Sequence, residues 1–282
     1  MISSTETDQG KLMSERYGGQ EAPDVLWNDT IRTLVAHRSV RAYLPTQLPE
    51  KTIETLVAAA QSASTSSNLH QWSVIAVTDQ EVKTRCGELA RLNSLGMGQP
   101  YIDEAPLLML WVADMSRTHA FGVATGKEPV VVDYLDTFMS ALIDASLAAQ
   151  NAIVAAESLG LGTVCIGAMR NNAAELAEYM GLPQHSFVAF GLVVGYEDKE
   201  RPNATRPRPR QQVMLHRDRY QQEQSMAALD TYDEIMGAHY AARGTKVVGW
   251  RDIVAKITTD VSYLDGREKL SKLMRDRDIK ML

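Results

Sequence analysis

DTFMSALIDASLAAQNAIVAAESLG, residues 136–160, is the longest uninterrupted helical pattern in the chain. Leu142, Ala145, Ala149, Ile153 and Ala156 recur at three- and four-residue spacing and so share one face. Most of that face is alanine. Small side chains let a helix approach its neighbours closely, which places this one at the centre of the fold. Gly160 is positioned to end it in the left-handed conformation.

Downstream of it, 163–166 (TVCI) reads as a short strand and 173–180 as a helix, with Asn172 as its cap and Gly181 as its stop. Residues 186–196 (SFVAFGLVVGY) form the clearest strand signal. Upstream, 107–113 (LLMLWVA) is a continuous apolar run after Pro106, read as a buried strand, and 73–78 (SVIAVT) alternates like a strand. Helices are expected at 29–36, 50–62 and 81–90. The second of these follows Pro49 and gathers Ile53, Leu56, Val57 and Ala60 on one face. Prolines and arginines then break regular structure over 199–212 (KERPNATRPRPRQQ), before further helices at 227–242 and 250–259. Strands and helices alternate irregularly, so the fold class is α+β, an α/β sandwich with a small apolar sheet flanked by helices. No G-x-G-x-x-G follows a strand and no P-loop pattern occurs, so neither kind of nucleotide site is supported.

The 282 residues are 45% hydrophobic and 23% charged, enough for one large domain with appendages. Residues 1–24 are polar and expected as a flexible arm, 25–260 as the domain with a C-terminal extension, and 261–282 as a charged tail. That tail mixes basic and acidic side chains and reads as a solvated helix face. A net charge of -6 argues against nucleic acid or an anionic membrane as partner. The N-terminal residues carry no apolar signal core and no segment reaches the roughly 20 apolar residues of a membrane span, so a cytoplasmic location is expected. Cys86 and Cys165 stand far apart and read as reduced thiols. His70, His119, His185, His216 and His239 have no metal-ligand spacing, and no metal is expected.

Two clusters carry chemistry. His37, Arg38, Ser39 and Arg41 concentrate two guanidinium groups, an imidazole and a hydroxyl in five residues after a short helix. Arginine grips phosphate through a planar, bidentate fork and stays charged at any working pH, so this cluster with Arg170 suits a phosphate-bearing ligand. Against that stands an exposed basic helix end that merely complements the helix dipole. Thr65, Ser66, Ser67 and Asn68 offer neutral donors and acceptors suited to a heteroaromatic edge or to sugar-like hydroxyls, or else form a serine-rich surface loop.

The succession HRSVRAY (37–43), SASTSSNLHQWSVIAVTD (62–79), AAQNAIVAAESLGLGTVCIGAMRNN (148–172) and LPQHSFVAFGLVVGY (182–196) resembles the FMN-dependent nitroreductase superfamily. It is most similar to the NADPH-preferring, oxygen-insensitive nitroreductases and flavin reductases, over about residues 29–260. The late H-Y-x-x-R-G at 239–244 also resembles that branch.

The resemblance implies a small, mainly antiparallel sheet in an intertwined homodimer, with two FMN sites at the interface. It implies ping-pong transfer from NADPH or NADH through FMN to nitroaromatics, quinones or flavins. His37, Arg38 and Ser39 would hold the FMN phosphate together with Arg170, and Arg41 would lie nearer the ring. Thr65, Ser66 and Ser67 would line the ring and ribityl chain. Gln99 would face the pyrimidine edge, and Gly167, Ala168 and Met169 would pack beside the phosphate. Relatives often carry a cation at the position of Ala168, which this chain lacks. Arg208, with Arg206, would contact the 2'-phosphate of NADPH. The chemistry is flavin-borne, so no side chain is assigned as catalytic. The alternatives are a specialised flavoenzyme of the same fold, such as a dehalogenase or flavin-consuming enzyme, and a non-catalytic binding protein that uses the arginine-rich loop.

Overall fold

A computed structural model describes residues 4–92, 97–201, 203–245 and 249–282. The chain divides into two compact units, Met1–Arg38 with Ala204–Tyr263, and Ser39–Asn203 with Leu264–Leu282.

The larger unit is built on four strands, β1 (Trp72–Val77), β2 (Leu107–Asp114), β3 (Gly162–Ile166) and β4 (Ser186–Gly195), which form one sheet in the order β1-β2-β4-β3. Every strand pair is antiparallel. β2 is continuously apolar because both faces are covered. Leu108, Leu110 and Val112 pack with Ile102, Val164, Ile166 and Leu176. Leu107, Met109 and Trp111 pack instead with Leu56, Ala145, Ala149 and Ala152. Alternate residues of a strand point to opposite faces, so one run of sequence feeds two cores.

The second core is closed by α3 (Thr52–Gln61) and α7 (Leu135–Ser158). Ala145, Ala148, Ala149, Ala152 and Ala156 of α7 are buried, and the alanine stripe lets the helix sit against the sheet and α3. α7 is apolar and long enough to cross a membrane by composition, but its buried face is the centre of this core. Gly160 follows it with φ +77° and Gly181 follows α8 (Ala173–Tyr179) with φ +64°, as expected of left-handed helix stops. Asn172 precedes α8, but its side chain donates to Leu89 O at 2.7 Å rather than capping the helix. It ties α8 to α4 (Gln80–Leu89) instead. Two short helices were not apparent in the sequence, α5 (Tyr101–Glu104) and α6 (Ser116–Ala124).

The tail corrects the expectation of a solvated face. Leu273 and Met274 of α12 (Leu270–Asp276), with Ile279, are buried against Phe138, Phe187 and Ala173. The Arg277 guanidinium donates to the carbonyls of Ser186 and Leu182, at 2.8 and 2.9 Å, and to Pro183 O. Leu282 N donates to Asp133 O at 3.0 Å, and Lys280 pairs with Asp133 at 2.7 Å. Most charges of this segment other than Arg267 and Arg277 are exposed, and they mask three well-placed apolar side chains.

In the smaller unit, residues 4–17 form α1 (Ser4–Tyr17), where a flexible arm was expected. Arg16 is buried and its guanidinium donates to Val35 O, at 2.7 and 3.1 Å, and to His37 O. It thereby satisfies carbonyls at the C-terminal end of α2 (Asp29–Ala36), which have no partner inside the helix. Asn28 caps the other end of α2, accepting from Ile31 N at 2.9 Å. The unit is completed by α9 (Gln222–Ala227), α10 (Leu229–Ala241) and α11 (Trp250–Thr259); α10 is the helix expected over 227–242, and α9 precedes it. Tyr232 of α10 packs edge-on to Trp250 at 5.6 Å.

Candidate functional site

The Thr65–Asn68 segment belongs to a tightly constrained, largely exposed loop of the larger unit. Ser67, Asn68 and His70 all have positive φ, at 50°, 57° and 49°. Three non-glycine residues in the left-handed region within four positions need a surrounding structure that over-determines them. That structure is present. Asp144 of α7, fully buried, accepts from Ser66 N at 2.8 Å and from Gln71 N at 3.3 Å. The Gln71 amide donates to Thr118 at 3.1 Å. Arg117 donates to His70 O at 2.9 Å and to Trp72 O at 2.7 Å, and its guanidinium is paired with Asp114 at 2.7 Å. Burial works to raise the Asp114 carboxyl, but hydrogen bonds from Ser116 and Ser73 and the charge of Arg117 outweigh it and hold the group below its ordinary range. Ser66 to His70 remain exposed. The loop is therefore a rigid, solvent-facing array of hydroxyl and amide groups, and Asp144 is a positioning residue that the sequence reading missed.

The second candidate segment follows β3. Gly167 to Arg170 form a tight 3-10 turn. Ala168 and Met169 are buried, and Met169 is part of the core, so these two residues offer backbone rather than side chain to a ligand. Arg170 donates to Ala189 O. Its guanidinium is held below the ordinary arginine range, by burial first and by the nearby Arg267 second. A Cβ on Gly167 would lie 3.4 Å from Arg170 Nη2, so glycine leaves the guanidinium room. Arg170 borders two cavities, one of about 520 Å³ and one of about 500 Å³. The second is apolar, lined by Leu142 and Ser146 of α7, Phe138, Phe187 and Phe190. Asp144, which holds the loop, and Leu142 and Ser146, which line the cavity beside Arg170, all belong to α7, but at about 100° per residue Asp144 points away from the other two.

Ser39 is brought beside β3 by a parallel bridge to Thr163, with Val40 N donating to Thr163 O at 2.9 Å. Arg41 N donates to Asn203 at 3.0 Å. The Arg41 guanidinium lies against the hydroxyl of Tyr101, a phenol that burial pushes up and Arg41 draws down. Tyr101 in turn donates to the Gln99 side-chain oxygen at 2.5 Å, and the Gln99 amide donates to Ala90 O at 2.6 Å. Gln99 is therefore joined to Arg41 through Tyr101, with much of its amide engaged internally. His37 and Arg38 belong to the smaller unit, where His37 is the C-terminal cap of α2 fixed by Arg16.

The four arginines of the proline-rich loop separate by environment. Arg201 pairs with Glu104 at 3.1 Å and Asp198 at 2.8 Å, and Arg210 donates to Gln20 at 2.9 Å. Both are structural. Arg206 and Arg208 are exposed. The backbone between them is held by Tyr232, which donates to Pro207 O at 3.1 Å, and by Arg208 N, which donates to Arg16 O at 2.8 Å. Burial, Arg243 and Arg206 together lower the His239 imidazole, so cations gather on this side of α10. Among the described residues no group of histidine, cysteine and acidic side chains could hold a metal ion.

In the larger unit Arg170 sits against the Gly167 turn and a separate exposed loop offers hydroxyl and amide groups, donor types that a phosphate ester and a polyol take up. Comparison with known proteins agrees. The nitroreductase family profile matches residues 34–196, and that of the nitroreductase family C-terminal domain matches residues 206–281. The chain belongs to the nitroreductase family. An FMN reductase [NAD(P)H] of Bacillus subtilis (strain 168) is 34% identical over 87% of this chain and 97% of its own length. An NADPH-flavin oxidoreductase of Vibrio harveyi is 34% identical over 77% of this chain and 84% of its own. The solved structure of the NfrA1 nitroreductase from B. subtilis superimposes with a TM-score of 0.82 at 30% identity, covering 90% of this chain and all of that one. Within this family the small antiparallel sheet with flanking helices is the shared fold, as expected from the sequence.

Proposed function

We propose that this protein is an FMN-dependent NAD(P)H oxidoreductase that reduces nitroaromatics, quinones or flavins in a ping-pong cycle, and that it acts as a cytoplasmic homodimer. The observation that carries the reading is the exposed Ser67–His70 loop, held with three positive φ angles over buried Asp144. A flavin nucleotide requires neutral donors and acceptors for its ring and ribityl hydroxyls and a cation for its phosphate. Bound FMN supplies the redox chemistry. The chain supplies charge and position: Arg170, with Ser39, Arg38 and His37, for the phosphate, Thr65, Ser66 and Ser67 for ribityl chain and ring, and Arg41 for the ring edge where negative charge accumulates. Gln99 contributes its remaining hydrogen-bonding capacity toward the pyrimidine edge. Gly167, Ala168 and Met169 pack beside the phosphate. Arg208 and Arg206, both exposed, suit the 2'-phosphate of NADPH.

Support for a second copy comes from the outer face of α7. Leu135, Met139, Ile143 and Leu147 follow at four-residue spacing and are 45, 50, 54 and 43% exposed. A continuous apolar stripe on the central helix is a surface that association would bury. The reading is tested on purified protein by FMN stoichiometry and by steady-state turnover with NADPH and NADH against nitroaromatic, quinone and free-flavin acceptors. Absence of flavin binding would overturn it.

A further inference from the structure

Consecutive residues at the start of α6 clasp three distant segments. Ser116 donates through N and Oγ to Asp114 at the end of β2, at 3.1 and 2.5 Å. Arg117 donates to His70 O and Trp72 O, and Thr118 accepts from the Gln71 side-chain amide at 3.1 Å. The His119 ring stacks on that of His185, with centroids 4.0 Å apart and 25° between the planes. His185 precedes β4 and has φ +58°. Its backbone joins the same elements. His185 N donates to Arg277 O of the tail at 2.9 Å, and its carbonyl accepts from Met115 N at 3.0 Å. One helical turn thus connects the hydroxyl-rich loop to the C-terminal tail through two imidazole rings.

Nδ1 of His185 is buried and has no hydrogen-bond partner among the described residues. A neutral imidazole carries one N–H and can leave this nitrogen bare, whereas an imidazolium carries N–H at both. Protonating His185 in place would bury a charged donor without an acceptor, a more costly state than a bare neutral nitrogen. Asp278 and Asp133 draw a proton toward the ring, but burial first and His119 second oppose it and prevail. Asp133 is already paired with Lys280 at 2.7 Å. Of the neighbouring cations, Arg277 is engaged by the carbonyls of Ser186, Leu182 and Pro183, and Arg117 by Asp114 at 2.7 Å. Opening the stack lets water reach Nδ1 and removes the penalty.

We propose that the His119–His185 stack is an acid-opened latch between the C-terminal tail and the first turn of α6. With the stack closed, the tail is seated and the turn holds the Gln71 end of the loop. On acidification His185 takes up a proton by leaving the stack, which loosens the tail at Arg277 and the turn at Thr118 together. The open form accepts the proton that the closed form resists. Opening is therefore independent of pH above the ordinary imidazole value of 6.5 and gains about a factor of ten for each unit below it, until the lowered value of the closed form is reached. The latch goes beyond the FMN reading and does not depend on it.

Hydrogen exchange of purified full-length protein, corrected for the intrinsic effect of pH, measures the opening. Between about pH 7.5 and about pH 5.5, protection of the Ile279 and Leu282 amides is expected to fall about tenfold, and that of the first turn of α6 with it, while β2 stays unchanged. His185→Asn suits the left-handed backbone and has no proton to gain, so it should abolish the pH step. His119→Phe keeps a ring over His185 and should retain the step. Equal protection at the two pH values in wild type, or a step of the same size in His185→Asn, would overturn the proposal. Should His185→Asn not fold, His119→Ala opens the ring face to water and should flatten the step, and an undiminished step there would count against the latch. A protein that shows the step yet binds no FMN would remove the FMN reading and leave the latch in place.

Discussion

The carboxylate of Asp144, buried within α7, accepts the backbone N–H of Ser66 at 2.8 Å across 78 residues of sequence. One buried charge thereby fixes an exposed loop whose backbone would otherwise relax from its left-handed residues. Removing the acceptor leaves the amides of Ser66 and Gln71 without it. Asp144→Ala is expected to destabilise the protein by about 2–4 kcal/mol, from two lost charged hydrogen bonds, and to weaken FMN about tenfold. Asp144→Asn keeps one acceptor oxygen and should fall between. Thermal melts of apoprotein and flavin titrations measure the two effects.

Arg38→Ala and Arg170→Ala should each reduce FMN affinity by about 10- to 150-fold, the equivalent of about 1.5–3 kcal/mol for a charged phosphate contact. Arg170→Ala should also lower the melting temperature, because the Ala189 carbonyl loses its donor. Fluorescence titration would have to return wild-type affinities in both variants to remove these residues from the site.

Arg208→Ala should reduce kcat/KM for NADPH by about 10- to 150-fold while leaving NADH within a few-fold, since the two donors differ only in the 2'-phosphate. FMN content should not change. Arg201→Ala, by contrast, breaks pairs with Glu104 and Asp198 and should alter stability rather than donor preference. A variant at Arg208 that loses both donors equally would assign that residue a structural role.

Ile143→Asp places a charge in the middle of the exposed apolar stripe of α7. Buried in a symmetric interface, that charge would meet its own copy. Light scattering at micromolar concentration is expected to shift from dimer to monomer, with FMN released at the same time. An unchanged dimer would place the interface elsewhere.

His185 and His119 stack at 4.0 Å. Burial first and His119 second hold His185 below the ordinary imidazole value of 6.5, against the opposing pull of Asp278 and Asp133. The folded protein therefore resists a proton that the unfolded chain accepts. Stability should be full above about pH 6.5 and fall as pH drops below it, until the lowered folded value is reached. His185 N also donates to Arg277 O at 2.9 Å, so the loss should loosen the tail. Melts between pH 5 and 8 should show a shallower slope for His185→Gln than for wild type.

Local pattern alone established the four strands and the main helices, but not α1, α5 or α6. Alanine spacing marked α7 as the central helix, and the apolar run of β2 marked a strand covered on both faces, because periodicity and apolar runs are local properties of a chain. The basic and hydroxyl-rich clusters were legible for the same reason: their chemistry is dense over a few residues. What no local pattern carries is which distant group answers which. Asp144 under Ser66, Arg16 on His37 O, Tyr101 against Arg41, and Arg277 on Leu182 O join segments 21 to 95 residues apart. The tail shows the difference most clearly. Its charges read as solvated, yet Gly266 presses against Asn171, and Leu273, Met274 and Ile279 are buried. Whether a charged side chain faces water or a like charge depends on which surfaces the rest of the chain leaves open, and packing alone sets that.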